Sequence, residues 1–288
     1  MTPVSPLDSA SLTSSSSSPP PPAAADWDAV RAETVEHLRQ LIRVESVNPP
    51  GNEIGVARYL EKVLGAAGVE TRLFEPAPGR AAFVACIRGT GAKRPLLLMA
   101  HMDVVGVERE NWSVDPFGGE VRDGYLYGRG AIDDKGMLAA NLETMLLLQR
   151  HVVDRGGRLS RDVVMVANGD EEGSGELGMG WLIANHPELV QGEIALNEGG
   201  RTRVVRGVPL YAAVQNSEKV PHVVTMTAHG PGGHASVPLA GNALLRLGRA
   251  LAALGAHREP VHLTPTTREF FAELSRVWPD RAERQAMA

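Results

Sequence analysis

The chain has 288 residues, 43% of them hydrophobic and 22% charged, with a formal net charge of -5. That is globular composition, enough for one large or two modest domains, and no basic stripe favours a nucleic-acid partner. No apolar stretch is long enough to span a bilayer, so no membrane partner is expected, and one cysteine, Cys86, excludes an internal disulfide.

Residues 1–25 are rich in Ser, Pro and Ala, with Ser14 to Ser18 followed by Pro19 to Pro22. Such a stretch buries little apolar surface and is expected to be disordered with a polyproline II bias. It lacks the basic start and apolar centre of a secretory signal, which predicts a cytoplasmic chain. Asp26 to Val47 carries Val30, Val35, Leu38, Leu41 and Ile42 near helical period, with Asp26 or Asp28 as N-cap. Asn48, Pro49, Pro50 and Gly51 stop it. Glu53 to Ala67 predicts a second amphipathic helix, ended by Gly68.

Val69 to Phe74, Ala81 to Ile87 and Leu96 to Ala100 read as strands, and Cys86 within the second reads as a buried structural thiol. A helix over Gly136 to Arg150 follows, with Leu138, Leu142, Met145 and Leu146 on one face. Asp162 to Ala167 and Glu193 to Leu196 are further strands, with a short helix at Gly178 to Asn185 between them; Leu210 to Gln215 is another strand. The pattern then changes. Pro221 to Ala228 alternates like a half-exposed antiparallel strand, and a Gly-rich turn, Gly230 to Gly233, leads to His234. Asn242 to Leu254 reads as an amphipathic helix, and a helical piece lies around Phe270 to Val277. The division expected is a tail over 1–25, a catalytic domain over 26–216, and a smaller partial domain over 217–288.

Apolar runs bounded by turn residues suit buried parallel strands, and ligands in open α/β sheets sit beyond the carboxyl ends of such strands. Three strands end in candidate ligands: His101 with Asp103, Glu171 with Glu172, and Glu198. Asp133 comes from the turn before a helix. Carboxylates crowded together repel one another unless a cation neutralises them. One or two divalent metals are therefore expected, and imidazole with carboxylates suits zinc, with manganese or cobalt as alternatives. His101 would ligate through one ring nitrogen, and Asp103 would accept the other N–H and orient the ring. Asp133 could bridge two metals, Glu172 and Glu198 would be terminal ligands, and Glu171 would be the general base. Singly, each feature has a plainer reading: H-x-D can be structural, Glu-Glu a solvated turn, Asp133-Asp134 a helix cap. Magnesium for phosphoryl transfer fits less well, because no phosphate loop is present and His101 prefers softer metals. The remaining histidines His37, His151, His186, His257 and His262 fall on helix faces or loops without acidic company, and His222 and His229 read as surface residues.

HMDVV at 101–105, YGRGAIDDKG at 127–136, NGDEEGSGE at 168–176 and LNEGG at 196–200, in that order, resemble the dinuclear-zinc group of aminoacylase, carboxypeptidase G, carboxypeptidase S and succinyl-diaminopimelate desuccinylase. The likeness covers about Asp26 to Leu254. NWSVDPFGGEVRDGYLYGRGA, at 111–131, is most similar to the carboxypeptidase S branch. The resemblance implies an α/β fold with a mostly parallel central sheet flanked by helices and an inserted smaller α/β lid that often dimerises. It implies two zinc ions at His101, Asp133, Glu172 and Glu198, with Glu171 as base. GPGGHASVP at 230–238 resembles the lid motif whose histidine, here His234, donates to the oxyanion in a facing active site. The activity implied is hydrolysis of an amide bond beside a free carboxylate, in a peptide or N-acyl amino acid, by a homodimer. The resemblance also implies a late histidine as the last ligand. The sequence stops at Ala288 with no histidine after residue 262, so an incomplete site, sheet and lid are expected. The rival expectation is a catalytically incompetent fragment that serves as a metal-binding or interaction module.

Overall fold

A computed structural model describes residues 25–215, 220, 222–234 and 236–287. The expected tail, apart from its last residue, lies outside the described residues. The chain forms two compact units, Met1–Glu198 and Gly199–Ala288.

In the first unit, α1 (Trp27–Ile42) starts where Asp26 accepts from the backbone N–H groups of Asp28 and Ala29, at 3.1 and 3.2 Å. Helix α2 (Ile54–Ala66) is followed by Gly68, whose φ of 80° gives the left-handed turn a side chain would resist. Strands β1 (Glu70–Phe74), β2 (Ala82–Ile87) and β3 (Leu96–His101) come next, then a small hairpin, β4 (Glu120–Arg122) and β5 (Tyr125–Tyr127). Helix α3 (Lys135–His151), β6 (Val163–Asn168), α4 (Met179–Asn185) and β7 (Ile194–Leu196) complete the unit.

The sheet order is β1-β2-β6-β3-β7. β3 lies between β6 and β7 and pairs parallel with both; β1 and β2 add an antiparallel edge beside β6. β2 and β6 are buried at every position, which explains their unbroken apolar runs. Alternate side chains divide between two cores. Phe83, Ala85, Leu98 and Met165 join Leu41, Leu60, Leu64, Leu138, Leu142 and Met145 of α1, α2 and α3. Val84, Cys86, Leu97, Val164 and Val166 face Leu182 of α4, with Phe74 and Trp181 alongside. Helices thus flank both faces, as an α/β fold requires. Cys86 is buried, and that burial pushes its thiol up to about 11.

In the second unit, β8 (Arg201–Val205) and β9 (Val208–Ala213) form a hairpin. Helix α5 (Ala243–Ala256) is capped by Asn242, α6 (Pro265–Val277) by Thr264, and α7 (Arg281–Met287) follows. Tyr211 of β9 meets Phe270 of α6 edge to face, with ring centroids 6.3 Å apart. The strand expected over Pro221 to Ala228 is corrected: residues 222–228 carry no ladder, and Val223 is 97% exposed. Alternation marks a strand only where a neighbouring strand supplies hydrogen bonds. Pro221 itself lies outside the described residues.

Candidate metal centre

The parallel pairing of β3 with β6 and β7 sends three chain segments out of the same edge of the sheet. His101 closes β3 opposite Asn168 of β6, Gly169–Glu172 follows β6, and Glu198 stands two residues beyond β7. Asp133 arrives from the turn before α3, and the Asp133–Asp134 peptide is cis. The residues singled out in the first unit therefore converge on one buried imidazole.

His101 Nε2 lies 2.9 Å from Asp133 Oδ1, 3.8 Å from Glu198 Oε1 and 3.9 Å from Glu171 Oε2. Donor atoms of His101, Asp133 and Glu172 lie within 4.8 Å of one another, and so do those of His101, Glu171 and Glu198. The two sets share His101. On its other side, His101 Nδ1 meets the Asp103 carbonyl oxygen at 3.0 Å and the Asp103 carboxylate at 3.5 Å. The backbone of Asp103 is thus the closer acceptor for the ring N–H, and that contact leaves Nε2 facing the acids.

Asp103 has a second task. Its fully buried carboxylate accepts from Asn48 Nδ2 at 2.8 Å and from the backbone N–H groups of Glu171 and Glu172, at 3.2 and 3.0 Å. Two successive amides aimed at one carboxylate fix the turn that carries both glutamates. Asp170 opens that turn at φ 63° and accepts from Ser174 Oγ, Leu177 N, Asn48 Nδ2 and Arg80 Nη2. Arg80 is held in turn by Glu53, at 2.9 Å, and by the Pro50 carbonyl. Both glutamates reach the imidazole. Glu171 is the more open to solvent of the two.

Charge follows this geometry. Burial alone would lower the His101 pKa, but hydrogen bonds to Asp103 and Asp133, with the Glu171 charge, push it up to about 10. The pocket draws a positive charge to the ring nitrogen. Burial pushes Asp134 up to about 7 against the opposing His101 charge, with Glu198 and Asp133 adding to the rise. Glu171 and Glu172 are both raised, chiefly by burial. An imidazole with oxygen donors drawing in positive charge fits the chemistry of divalent zinc, cobalt or manganese.

Sequence reading missed the supports. Asp134 caps nothing with its side chain; it is buried and accepts from the His101 backbone N–H at 3.4 Å. Lys135 is fully buried and donates to the carbonyls of Leu41 and Val44, at 3.0 and 2.8 Å; burial pulls its pKa down to about 7. Asn48, Glu53, Arg80 and Asp170 are buried polar residues at chain positions that look like turns. Their only signal was the density of polar residues around 48–53 and 168–172. In the second unit, His234 is exposed, and its Nδ1 lies 2.8 Å from Ser236 Oγ and accepts from Ser236 N at 3.3 Å. The expectation that the other histidines lack acidic company is corrected. His37 lies near Glu33 and Glu143, His186 is 3.5 Å from Glu188, and His257 is 2.9 Å from Glu259. Helical i, i+4 spacing and chain reversal made these pairs.

Comparison with known proteins places the chain in a family. The model of peptidase family M20/M25/M40 matches residues 97–273. Mouse aminoacylase-1 is 31% identical over 230 residues, covering 78% of this chain and 54% of that protein. Succinyl-diaminopimelate desuccinylase of Methylorubrum extorquens is 42% identical over 138 residues, covering 46% of this chain and 34% of that one. The crystal structure of human carnosine dipeptidase 1 superposes with a TM-score of 0.50 at 19% identity, over 59% of this chain and 39% of that chain, which supports the fold alone. The chain thus spans about half the length of aminoacylase-1.

Proposed function

The chain belongs to peptidase family M20/M25/M40, and from that premise we propose that it hydrolyses an amide bond beside a free carboxylate, in a small peptide or an N-acyl amino acid. His101, Asp133, Glu172 and Glu198 would hold two divalent ions, zinc first and cobalt or manganese next. Such ions supply Lewis acidity for the scissile carbonyl and lower the pKa of water. Glu171 takes the proton from the attacking water and returns it to the leaving nitrogen. Asp103 holds the His101 ring and the Glu171–Glu172 turn in place. His234 donates to the developing oxyanion in the facing site of a second copy, residues 217–288 serving as part of a lid and dimerisation domain.

The observation that carries this reading is the buried His101 ring shared by two imidazole–carboxylate donor sets. The test is hydrolysis of N-acetyl amino acids and dipeptides by the zinc-loaded chain, with zinc content measured beside it. Glu171→Gln is expected to keep its metal and to lose turnover by roughly 10²–10⁴-fold. A Glu171→Gln chain that keeps both metal and full turnover removes Glu171 as base. A wild-type chain that binds metal and hydrolyses nothing supports the metal-binding module instead.

A further inference from the structure

Away from that centre, α1 packs against α3. Glu33 and His37 stand at i and i+4 on α1, so they share a face, and Glu143 meets them from α3. His37 Nε2 lies 3.7 Å from Glu33 Oε1 and 3.9 Å from Glu143 Oε2. A donor atom of each of the three falls within 4.8 Å of the others.

The Glu143 side chain is only 4% exposed. Among the described residues neither of its carboxylate oxygens has a hydrogen-bond partner, and neither has His37 Nε2. The Arg150 guanidinium comes no closer to Glu143 than 4.0 Å and engages Glu33 instead, at 2.6 and 2.7 Å. Leaving a carboxylate buried without a donor is unfavourable. Something must offset that cost.

We propose that Glu33, His37 and Glu143 form a second divalent-cation site, of zinc-like preference, that clamps α1 to α3.

Three features of the surroundings support the assignment. His37 Nδ1 contacts Tyr59 Oη at 2.8 Å, which orients the ring and leaves Nε2 directed at the two acids, the second contact usual for a ligating imidazole. His37 Nε2 is buried and has no hydrogen-bond partner among the described residues. Arg150 orients Glu33 without exhausting it, since each carboxylate oxygen has two lone pairs. A tetrahedral ion with bonds of about 2.0–2.1 Å sets its donor atoms about 3.3 Å apart. The observed 3.7 and 3.9 Å need only a small contraction. Glu33 is the most open of the three, so the fourth position faces solvent and takes water.

The test uses the full chain with His101→Ala and Asp133→Ala, which removes the donor common to both sets of the first centre and leaves the second intact. After dialysis against zinc, this chain is expected to hold one zinc per molecule and to show a higher unfolding midpoint than its chelated form. Adding Glu143→Gln, or separately His37→Gln, is expected to remove both the bound zinc and the shift in midpoint. Tyr59→Phe keeps the donors and is expected to weaken zinc binding by about 10–100-fold without abolishing it. The midpoint of the chelated Glu143→Gln chain, equal to or above that of its parent, guards against misreading an unfolded variant. Zinc content unchanged by both Glu143→Gln and His37→Gln overturns the site. So does a disabled parent chain that binds no zinc.

Discussion

Asp103 shows how much one side chain can organise. It is fully buried, yet hydrogen bonds from His101, Asn48 and the Glu171–Glu172 amides hold its carboxyl below the usual range against burial. Asp103→Ala would strand those donors. The expected outcome is a 10–100-fold weaker zinc affinity, measured by competition with a chelating dye. Stability should also fall by about 1–3 kcal/mol for each donor left unpaired, measured by denaturant titration. Asp170 behaves similarly. Burial would raise its pKa, but bonds from Leu177 N, Ser174, Asn48 and Arg80 bring it down to about 2. Its folded pKa is depressed, so its contribution is present above the unfolded value near 3.9 and is lost as pH falls through about 2. A shift of that size corresponds to about 2 kcal/mol. Acid titration of the folded chain should show this loss between about pH 4 and pH 2, and Asp170→Asn should remove that component of the profile.

Among the elements, β3 and α3 do most to present the centre. α3 seats Leu138, Leu142, Met145 and Leu146 against the buried sheet face, which fixes the turn where Asp133 and Asp134 stand. Leu142→Ala should cost about 2–5 kcal/mol, read as a lower denaturant midpoint at unchanged slope. Both elements were legible in the sequence. LLLMAH is a continuous apolar run, and α3 repeats its apolar residues at helical period. The convergence of His101, Asp133, Glu171, Glu172 and Glu198 had a trace too, because acids and a histidine recurred just past apolar runs. Other parts left no such trace. β4 and β8 are three- and five-residue strands with mostly exposed side chains, too short and polar for periodicity to register. β7 reads as a buried strand, yet Ile194 and Leu196 are exposed, since burial depends on what covers an edge. The Asn48–Glu53–Arg80–Asp170 network joins segments far apart in the chain, and no local pattern encodes such partners.

At the scale of the whole molecule, acidic groups concentrate at both clusters on the first unit, around His101 and around His37. Bringing like charges together by folding is unfavourable unless cations join them, so metal binding at either cluster would raise the chain's stability. The central claim concerns the first of them: His101, Asp133, Glu172 and Glu198 hold a pair of divalent ions. The most direct measurement is anomalous diffraction at the zinc edge from crystals of the zinc-loaded chain. Two peaks about 3.5–4 Å apart are expected, with Asp133 between them and His101 Nε2 bonded to one. A map with no zinc within bonding distance of His101 Nε2 and Asp133 would contradict it.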